Sequence, residues 1–296
     1  MQLKTAQDFD QELLILFDAY VHGTLDRRGF LDRAQKFAVG GMTAGMLLAA
    51  LSPDFARAQV VPKDDKRITT EMLEYPSTAG TGTVKGYLAK PANATGKLPV
   101  VLVVHENRGL NPHIEDIARR LALDNFVAFA PDALTPLGGY PGDEDKAREL
   151  FAKLDQKKAT EDFVAAANYL KSRPESSGKI GVVGFCYGGG MAHTLSVRMP
   201  DLNAAVPFYG NHPAAVDAVK VKAPLLIHFA GVDERINSAW PAYEAALKAA
   251  GTRYTAHQYA GTQHGFNNDT TPRFDATAAK LAWERTLAFF NAQLRA

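Results

Sequence analysis

The fold is decided by the stretch Lys179-Ile180-Gly181-Val182-Val183-Gly184-Phe185-Cys186-Tyr187-Gly188-Gly189-Gly190. An apolar run, which predicts a strand, ends there in a small-x-Cys-x-small turn, and a predicted helix follows. Such a turn strains the backbone of its central residue and tolerates no bulk two positions before or after it. Gly184 and Gly188 meet that requirement. The pattern therefore predicts a nucleophile elbow that pushes the Cys186 thiol out of the sheet.

Cys186 is the single cysteine of the chain. No intramolecular disulfide can form, so a structural pairing role is excluded. The alternative is a buried free cysteine that packs as a small apolar residue. The combination of strand, glycines and helix favours the nucleophile.

Composition excludes several classes of function. The chain has 296 residues, 46% hydrophobic and 22% charged, with a formal net charge of +1, which is ordinary for a globular protein. This charge offers no general attraction to nucleic acid or to an anionic membrane. No dinucleotide or phosphate-loop pattern is present. His105-Glu106 lacks a second histidine at helical spacing, so we predict neither a cofactor nor a metal.

Residues 1–58 resemble an export leader. The run Asp26-Arg27-Arg28-Gly29-Phe30-Leu31-Asp32 is similar to the twin-arginine motif, an apolar stretch covers residues 37–51, and Ala56-Arg57-Ala58 offers a small-x-small cleavage site. The apolar stretch is shorter than the roughly 20 residues that span a bilayer. We therefore predict a removable signal, no stable membrane anchor, transient contact with the twin-arginine export machinery, and a periplasmic or secreted protein. If the leader is not used, the protein is cytoplasmic.

The segment before the arginine pair leaves an alternative open. Apolar residues recur at near-helical spacing between Gln11 and His22, and typical signals start closer to the arginines. The segment is either an unusual leader, the product of an upstream start codon, or an amphipathic helix of the folded protein. Because His22 falls in this segment, it is not among the predicted site residues.

Residues 59–296 are predicted to form one α/β domain, because short β-rich runs alternate with helical stretches. The apolar run 98–104 is typical of a central strand buried on both faces. Other strands are predicted at 82–90, 126–131, 180–185, 204–209, 224–230 and 253–259, and helices at 112–123, 143–154, 160–172, 189–199 and 274–294. This alternation predicts an α/β-hydrolase fold with a mostly parallel sheet and helices on both faces.

That fold carries its catalytic triad in the chain order nucleophile, acid, histidine. Asp233 and His264 each follow a late predicted strand, where this class of sheet builds its sites. An imidazole can accept the thiol proton, and a carboxylate fixes the imidazole tautomer. Glu234 is a weaker alternative to Asp233. Among the other histidines, His228 and His257 are predicted to be structural, and His193 and His212 remain weaker competitors.

The loop after the central strand, His105 to His113, is the second decisive stretch. In hydrolases of this fold, one oxyanion-hole amide comes from this loop and the other from the residue after the nucleophile. We assign these main-chain N–H groups to Asn107 and Tyr187.

These motifs together resemble the dienelactone hydrolase family, whose members are carboxymethylenebutenolidase-like enzymes. The resemblance depends on five motifs: His105-Glu106-Asn107-Arg108-Gly109-Leu110-Asn111-Pro112, Ala130-Pro131-Asp132, Gly184-Phe185-Cys186-Tyr187-Gly188-Gly189, Asp233 and Gln263-His264-Gly265-Phe266. The resemblance implies a Cys-His-Asp triad, ester or lactone hydrolysis through a cysteinyl acyl-enzyme, and a small-molecule substrate. It also implies that Glu106 contacts the resting thiol and helps to deprotonate it.

The chain departs from the family at the residues that bind a substrate carboxylate. Asn268 stands where the family has an arginine shortly after the catalytic histidine, and Arg148 matches a second family arginine loosely. Arg108 and Arg273 are further candidates, although solvated surface positions are expected for both. The dienelactone itself is therefore a doubtful substrate. The alternative function is a catalytically silent hydrolase-fold protein that binds a ligand or partner.

Overall fold

The structure is a computed structural model that describes residues 4–55 and 59–295. The small-x-small motif at 56–58, predicted as a cleavage site, lies outside the described residues.

One eight-stranded sheet forms the centre of the protein. Its spatial order is β1-β2-β4-β3-β5-β6-β7-β8, with β1–β2 and β2–β4 antiparallel and the remaining pairs parallel. The strands are β1 (Ile68–Ser77), β2 (Gly82–Pro91), β3 (Leu98–Val104), β4 (Val127–Pro131), β5 (Ser176–Phe185), β6 (Ala204–Phe208), β7 (Leu225–Val232) and β8 (Tyr254–Gln263). The predicted α/β-hydrolase architecture is confirmed.

Helices cover both faces of this sheet. After three N-terminal helices, numbered α1 to α3, they are α4 (Pro112–Leu123), α5 (Glu144–Phe151), α6 (Gln156–Ser172), α7 (Tyr187–Arg198), α8 (Glu234–Asn237), α9 (Trp240–Ala249) and α10 (Ala276–Leu294). One apolar core lies beneath α4 and α10, and a second lies beneath α6, α7 and α9. The central strand β3 is buried along nearly its whole length because both cores pack against it. Parallel strands covered in this way are continuous apolar runs.

Among the strands and helices of residues 59–295, β1, α8 and α9 were not predicted from the sequence. Strand β1 is exposed at five of its ten positions, one of which is Pro76, as suits the edge of a sheet. Helix α9 is also new, and Tyr243 and Leu247 bury its inner face.

The N-terminal segment, residues 4–55, is folded in the structure. Its helices are α1 (Gln11–Val21), α2 (Arg27–Ala34) and α3 (Ala44–Leu51). They share an apolar core of their own, in which Phe30 and Leu51 are fully buried. Within the described residues, no helix combines the length and the hydropathy that a membrane span needs.

Candidate active site

Cys186 lies on a strained turn between β5 and α7, as the glycine pattern predicts. Its φ of 55° and ψ of −110° are unusual for a residue with a side chain. A Cβ on Gly184 would lie 1.9 Å from the carbonyl oxygen of Gly188, and one on Gly188 would lie 2.1 Å from that of Val104. Both positions therefore require glycine, because strand and helix cross in direct backbone contact.

Asp233 and His264 form a buried pair beside the thiol. Nδ1 of His264 lies 2.6 Å from Oδ2 of Asp233, and both side chains are at most 5% exposed. A ring nitrogen of His264 lies within 4.8 Å of the Cys186 sulfur. Since Asp233 occupies Nδ1, Nε2 is the nitrogen available to the sulfur. The structure thus brings together the three residues that were predicted as a triad.

The competing residues lie elsewhere. Glu234 is exposed to solvent. His228 is buried against Tyr259 and Thr286. The rings of His193 and His212 pack on one another and on Tyr243. None of these side chains therefore occupies the position of Asp233 or of His264 beside the thiol.

The pKa values of the thiol and the His264 imidazole are inverted. Burial by itself would raise the pKa of Cys186, but the charges of His22 and His264 and the hydrogen bond from His22 outweigh it and lower that pKa to about 6. Burial also disfavours a charged His264, yet the Cys186 thiolate and Asp233 raise the pKa of His264 to about 10. Each group thus favours the charged form of the other, which is the direction that a nucleophilic thiol needs.

Helix α1 covers the thiol from the solvent side. His22, which follows α1 directly, places Nε2 3.3 Å from the Cys186 sulfur. Its Nδ1 lies 2.8 Å from the carbonyl oxygen of Asp18 and 3.3 Å from Oδ2 of the same residue. Burial lowers the pKa of His22, but Cys186 and Asp18 outweigh it, so the pKa is raised. A second histidine, also paired with an aspartate, therefore faces the nucleophile.

The arginines around the site bind this N-terminal segment. Nη1 of Arg273 lies 3.3 Å from Oδ1 of Asp18, and Nη1 of Arg108 donates to the carbonyl oxygen of Val21 at 3.3 Å. The guanidinium of Arg148 lies 4.2 Å above the Tyr20 ring. The expectation of solvated positions is wrong for Arg108 and Arg273, which are 7% and 8% exposed, because α1 packs over them.

The remaining predicted residues line two cavities that both reach Cys186. Glu106, Asn107 and Asn268 line the first, in which the space open to water is about 40 Å³, room for a few water molecules. Asn107 and Tyr187 line the second, in which that space is about 160 Å³. Oε2 of Glu106 accepts a hydrogen bond of 2.8 Å from Nδ2 of Asn268. Tyr187 begins α7, next to the sulfur. The roles assigned to these residues stay predictions.

Sequence reasoning missed His22 and Asp18 as site residues. They are 164 and 168 residues before Cys186 in the chain, and the twin-arginine-like run after them led to their assignment to a leader. The helical spacing of apolar residues between 11 and 22 was the one available indication of a folded segment.

Comparison with known proteins connects the fold to a family. The Dienelactone hydrolase family matches residues 84–294, and a second family, described as YqhI-like, matches residues 1–39. The "Putative carboxymethylenebutenolidase" of Escherichia coli O157:H7 is 32% identical over 247 residues, which are 78% of this chain and 90% of that protein.

Two further similarities agree with this result. The "Putative hydrolase fragment YghX" of Escherichia coli K12 is 54% identical over 114 residues, 38% of this chain and 97% of the fragment. The crystal structure of a "Putative Dienelactone Hydrolase" from Klebsiella pneumoniae has a TM-score of 0.66 at 29% identity and covers 75% of this chain and 98% of its own.

Proposed function

Because the chain belongs to the dienelactone hydrolase family, we propose that this hydrolase cleaves carboxylic esters or lactones through a cysteinyl acyl-enzyme. The observation that carries the proposal is the position of Cys186, on its strained turn beside the buried Asp233–His264 pair. A nucleophile, a proton carrier and a residue that orients the carrier are the parts that acyl transfer needs.

In the proposed reaction, the Cys186 thiolate attacks the substrate carbonyl carbon and forms a tetrahedral oxyanion. The main-chain N–H groups of Asn107 and Tyr187 would stabilise that charge, each by about 3–4 kcal/mol. His264 gives its proton to the leaving alkoxide, which breaks the C–O bond and leaves a thioester. His264 then takes a proton from water, the resulting hydroxide attacks the thioester, and the carboxylic acid and the thiolate are released.

The other predicted roles belong to this proposal. Glu106 lines the first cavity and accepts a hydrogen bond from Asn268, and its contact with the thiol, which the family resemblance implies, is part of the proposal. Arg108 and Asn268 line the same cavity, and Arg148 lies behind Tyr20. Val21 binds the guanidinium of Arg108, and the Tyr20 ring covers that of Arg148. A substrate would therefore reach the two arginines only after α1 has moved. The site is therefore closed on the side of these arginines, while a second cavity of about 160 Å³ still reaches Cys186.

Mass spectrometry during turnover tests the proposal. We expect purified protein to hydrolyse p-nitrophenyl esters or simple lactones and to show an acyl adduct that peptide mapping places on Cys186. We expect Cys186→Ala to remove the adduct and the activity, and His264→Ala to lower the rates of acyl-enzyme formation and of its hydrolysis. His257→Ala, on β8 and away from the thiol, is the matched control. Full activity in the Cys186→Ala protein would contradict the mechanism.

Export through the twin-arginine route also belongs to the proposal. Both Arg27 and Arg28 are exposed at the start of α2, where a receptor could bind them. Fractionation of cells that produce the wild type or the Arg27→Lys, Arg28→Lys double variant tests it. We expect the wild type in the periplasm and the variant in the cytoplasm, and the same distribution for both would refute export by this route.

A further inference from the structure

Three potential metal ligands from distant parts of the chain lie close together, and one of them is the nucleophile Cys186 itself. The sulfur of Cys186 and one ring nitrogen each of His22 and His264 lie within 4.8 Å of one another. Tetrahedral zinc, with bonds of about 2.3 Å to sulfur and about 2.0–2.1 Å to nitrogen, separates such ligands by about 3.3–3.6 Å. The 3.3 Å between Nε2 of His22 and the sulfur is about 0.3 Å shorter than the nitrogen–sulfur separation of about 3.6 Å in such a site, so the two atoms need to move only slightly apart.

Both imidazoles are oriented as metal-binding histidines are. Nδ1 of His264 is held by Asp233 at 2.6 Å, and Nδ1 of His22 is held by Asp18. A carboxylate on one ring nitrogen leaves the other nitrogen for the metal. Within the described residues, Nε2 of His264 is buried and has no hydrogen-bond partner. An orphaned nitrogen of a buried side chain thus points to a missing ligand at this place.

We propose that Cys186, His22 and His264 bind Zn²⁺, which fastens the end of α1 to the nucleophile and blocks acyl transfer while it is bound. A thiolate and two neutral imidazoles are a ligand set that zinc prefers. The fourth position remains open for water. A zinc–sulfur bond uses the sulfur lone pair that attacks the substrate carbonyl carbon. The metal is therefore an inhibitor, and a chelator should reverse the inhibition.

One cation must move to admit the metal. Nη2 of Arg235 lies 3.1 Å from Nε2 of His22 and 3.3 Å from Nδ1 of His264. The Arg235 side chain is 37% exposed, so it can swing into solvent, while Asp18 and Asp233 remain to balance the incoming charge.

Spectroscopy with Co²⁺ in place of zinc tests the site without relying on turnover. We expect one equivalent of Co²⁺ to give a thiolate-to-cobalt charge-transfer band and the intense visible bands of four-coordinate cobalt. Added Zn²⁺ should displace Co²⁺ and so abolish the charge-transfer band and the visible bands. Cys186→Ser should lose the charge-transfer band. If the wild type gives no such band, or if Cys186→Ser retains it, the proposal is wrong.

The second measurement isolates the contribution of the N-terminal segment. We expect His22→Gln to weaken Co²⁺ and Zn²⁺ binding at least about tenfold, and His257→Gln, the matched control on β8, to bind as the wild type does. Thermal unfolding confirms that each variant is folded. Equal affinity in His22→Gln and the control would overturn the proposal, because α1 would then hold no ligand.

The inhibitory part has its own readout. Zn²⁺ should slow alkylation of Cys186 by iodoacetamide at least tenfold, and a chelator should restore the rate. This result does not depend on the proposed hydrolase reaction, so failure of the esterase assay and failure of the metal site are distinguishable. Unchanged alkylation in protein that has bound one Zn²⁺ would refute ligation by the sulfur.

Discussion

Asp18→Asn should open the site and increase hydrolysis. Asp18 is the residue of α1 with the most ionic contacts to the hydrolase domain, since its carboxylate lies 3.3 Å from Arg273 and 3.8 Å from Arg235. The same carboxylate orients His22 over the thiol. Asparagine keeps the shape of the side chain and removes its charge, so the substitution weakens closure and leaves the catalytic residues in place.

The size of the effect follows from these contacts. Hydrogen bonds to charged groups contribute about 1.5–3 kcal/mol, and Arg273 is buried, whereas the Asp18 side chain is 25% exposed. A loss of about 2 kcal/mol is therefore reasonable after allowance for solvent screening. If the open form is a minor one, its population rises about 30-fold, and kcat/KM for a small ester rises by the same factor. The increase ends when most molecules are open.

The assay is p-nitrophenyl acetate hydrolysis under conditions where the rate is proportional to kcat/KM. Asp32→Asn is the matched control, because it removes an exposed carboxylate from α2 and leaves the contacts of α1 unchanged. We expect no change in the control and an increase of about 10- to 30-fold in Asp18→Asn. An unchanged or lower rate in Asp18→Asn would show that α1 does not limit access to Cys186.

Three further predictions concern Cys186, Asp233 and a glycine of the turn that carries Cys186. Because His22 and His264 lower the pKa of Cys186 to about 6, its alkylation by iodoacetamide should rise with pH to a plateau whose midpoint is near 6; a midpoint near 9 would contradict the ion pair. Asp233→Asn should lower kcat at least about 100-fold by releasing the imidazole tautomer, whereas Glu234→Gln, one position along and exposed, should leave kcat unchanged; equal losses would disprove the assignment. Gly188→Ala should lower the free energy of unfolding by about 2–3 kcal/mol and Tm by about 5–10 °C, since its Cβ would lie 2.1 Å from a β3 carbonyl oxygen. The control is Gly190→Ala, whose Cβ meets nothing closer than 3.5 Å. Similar melting curves for the two variants would argue against the close crossing.

The parts of this protein that depend on local chemistry were predictable. The glycine spacing around Cys186 encodes the elbow because the backbone crossing there excludes a Cβ. The position of Asp233 and His264 after late strands followed from the topology of a parallel sheet. Strand β1 could not be identified in this way, since an edge strand with polar residues on its exposed face has no apolar run.

The closure of the site was not predictable from these patterns. The contacts of α1 with Cys186 and Arg273 join residues 164 and 255 positions apart, and no local periodicity encodes such a pairing. Solvated positions were expected for Arg108 and Arg273 because charged side chains are seldom buried without partners. The partners exist, but they belong to a segment whose composition is also that of an export signal.

The distance along the chain between α1 and its binding surface has a consequence during synthesis. Asp18 leaves the ribosome 255 residues before Arg273, which is about 13 to 50 s at translation rates of about 5–20 residues per second. Throughout that interval the first helices have no surface to dock on, so a targeting factor can bind them before the hydrolase domain exists. The proposed export therefore leaves the site covered only in a protein that keeps residues 1–58, and in that protein translation sets the order in which the segment serves first as signal and then as cover.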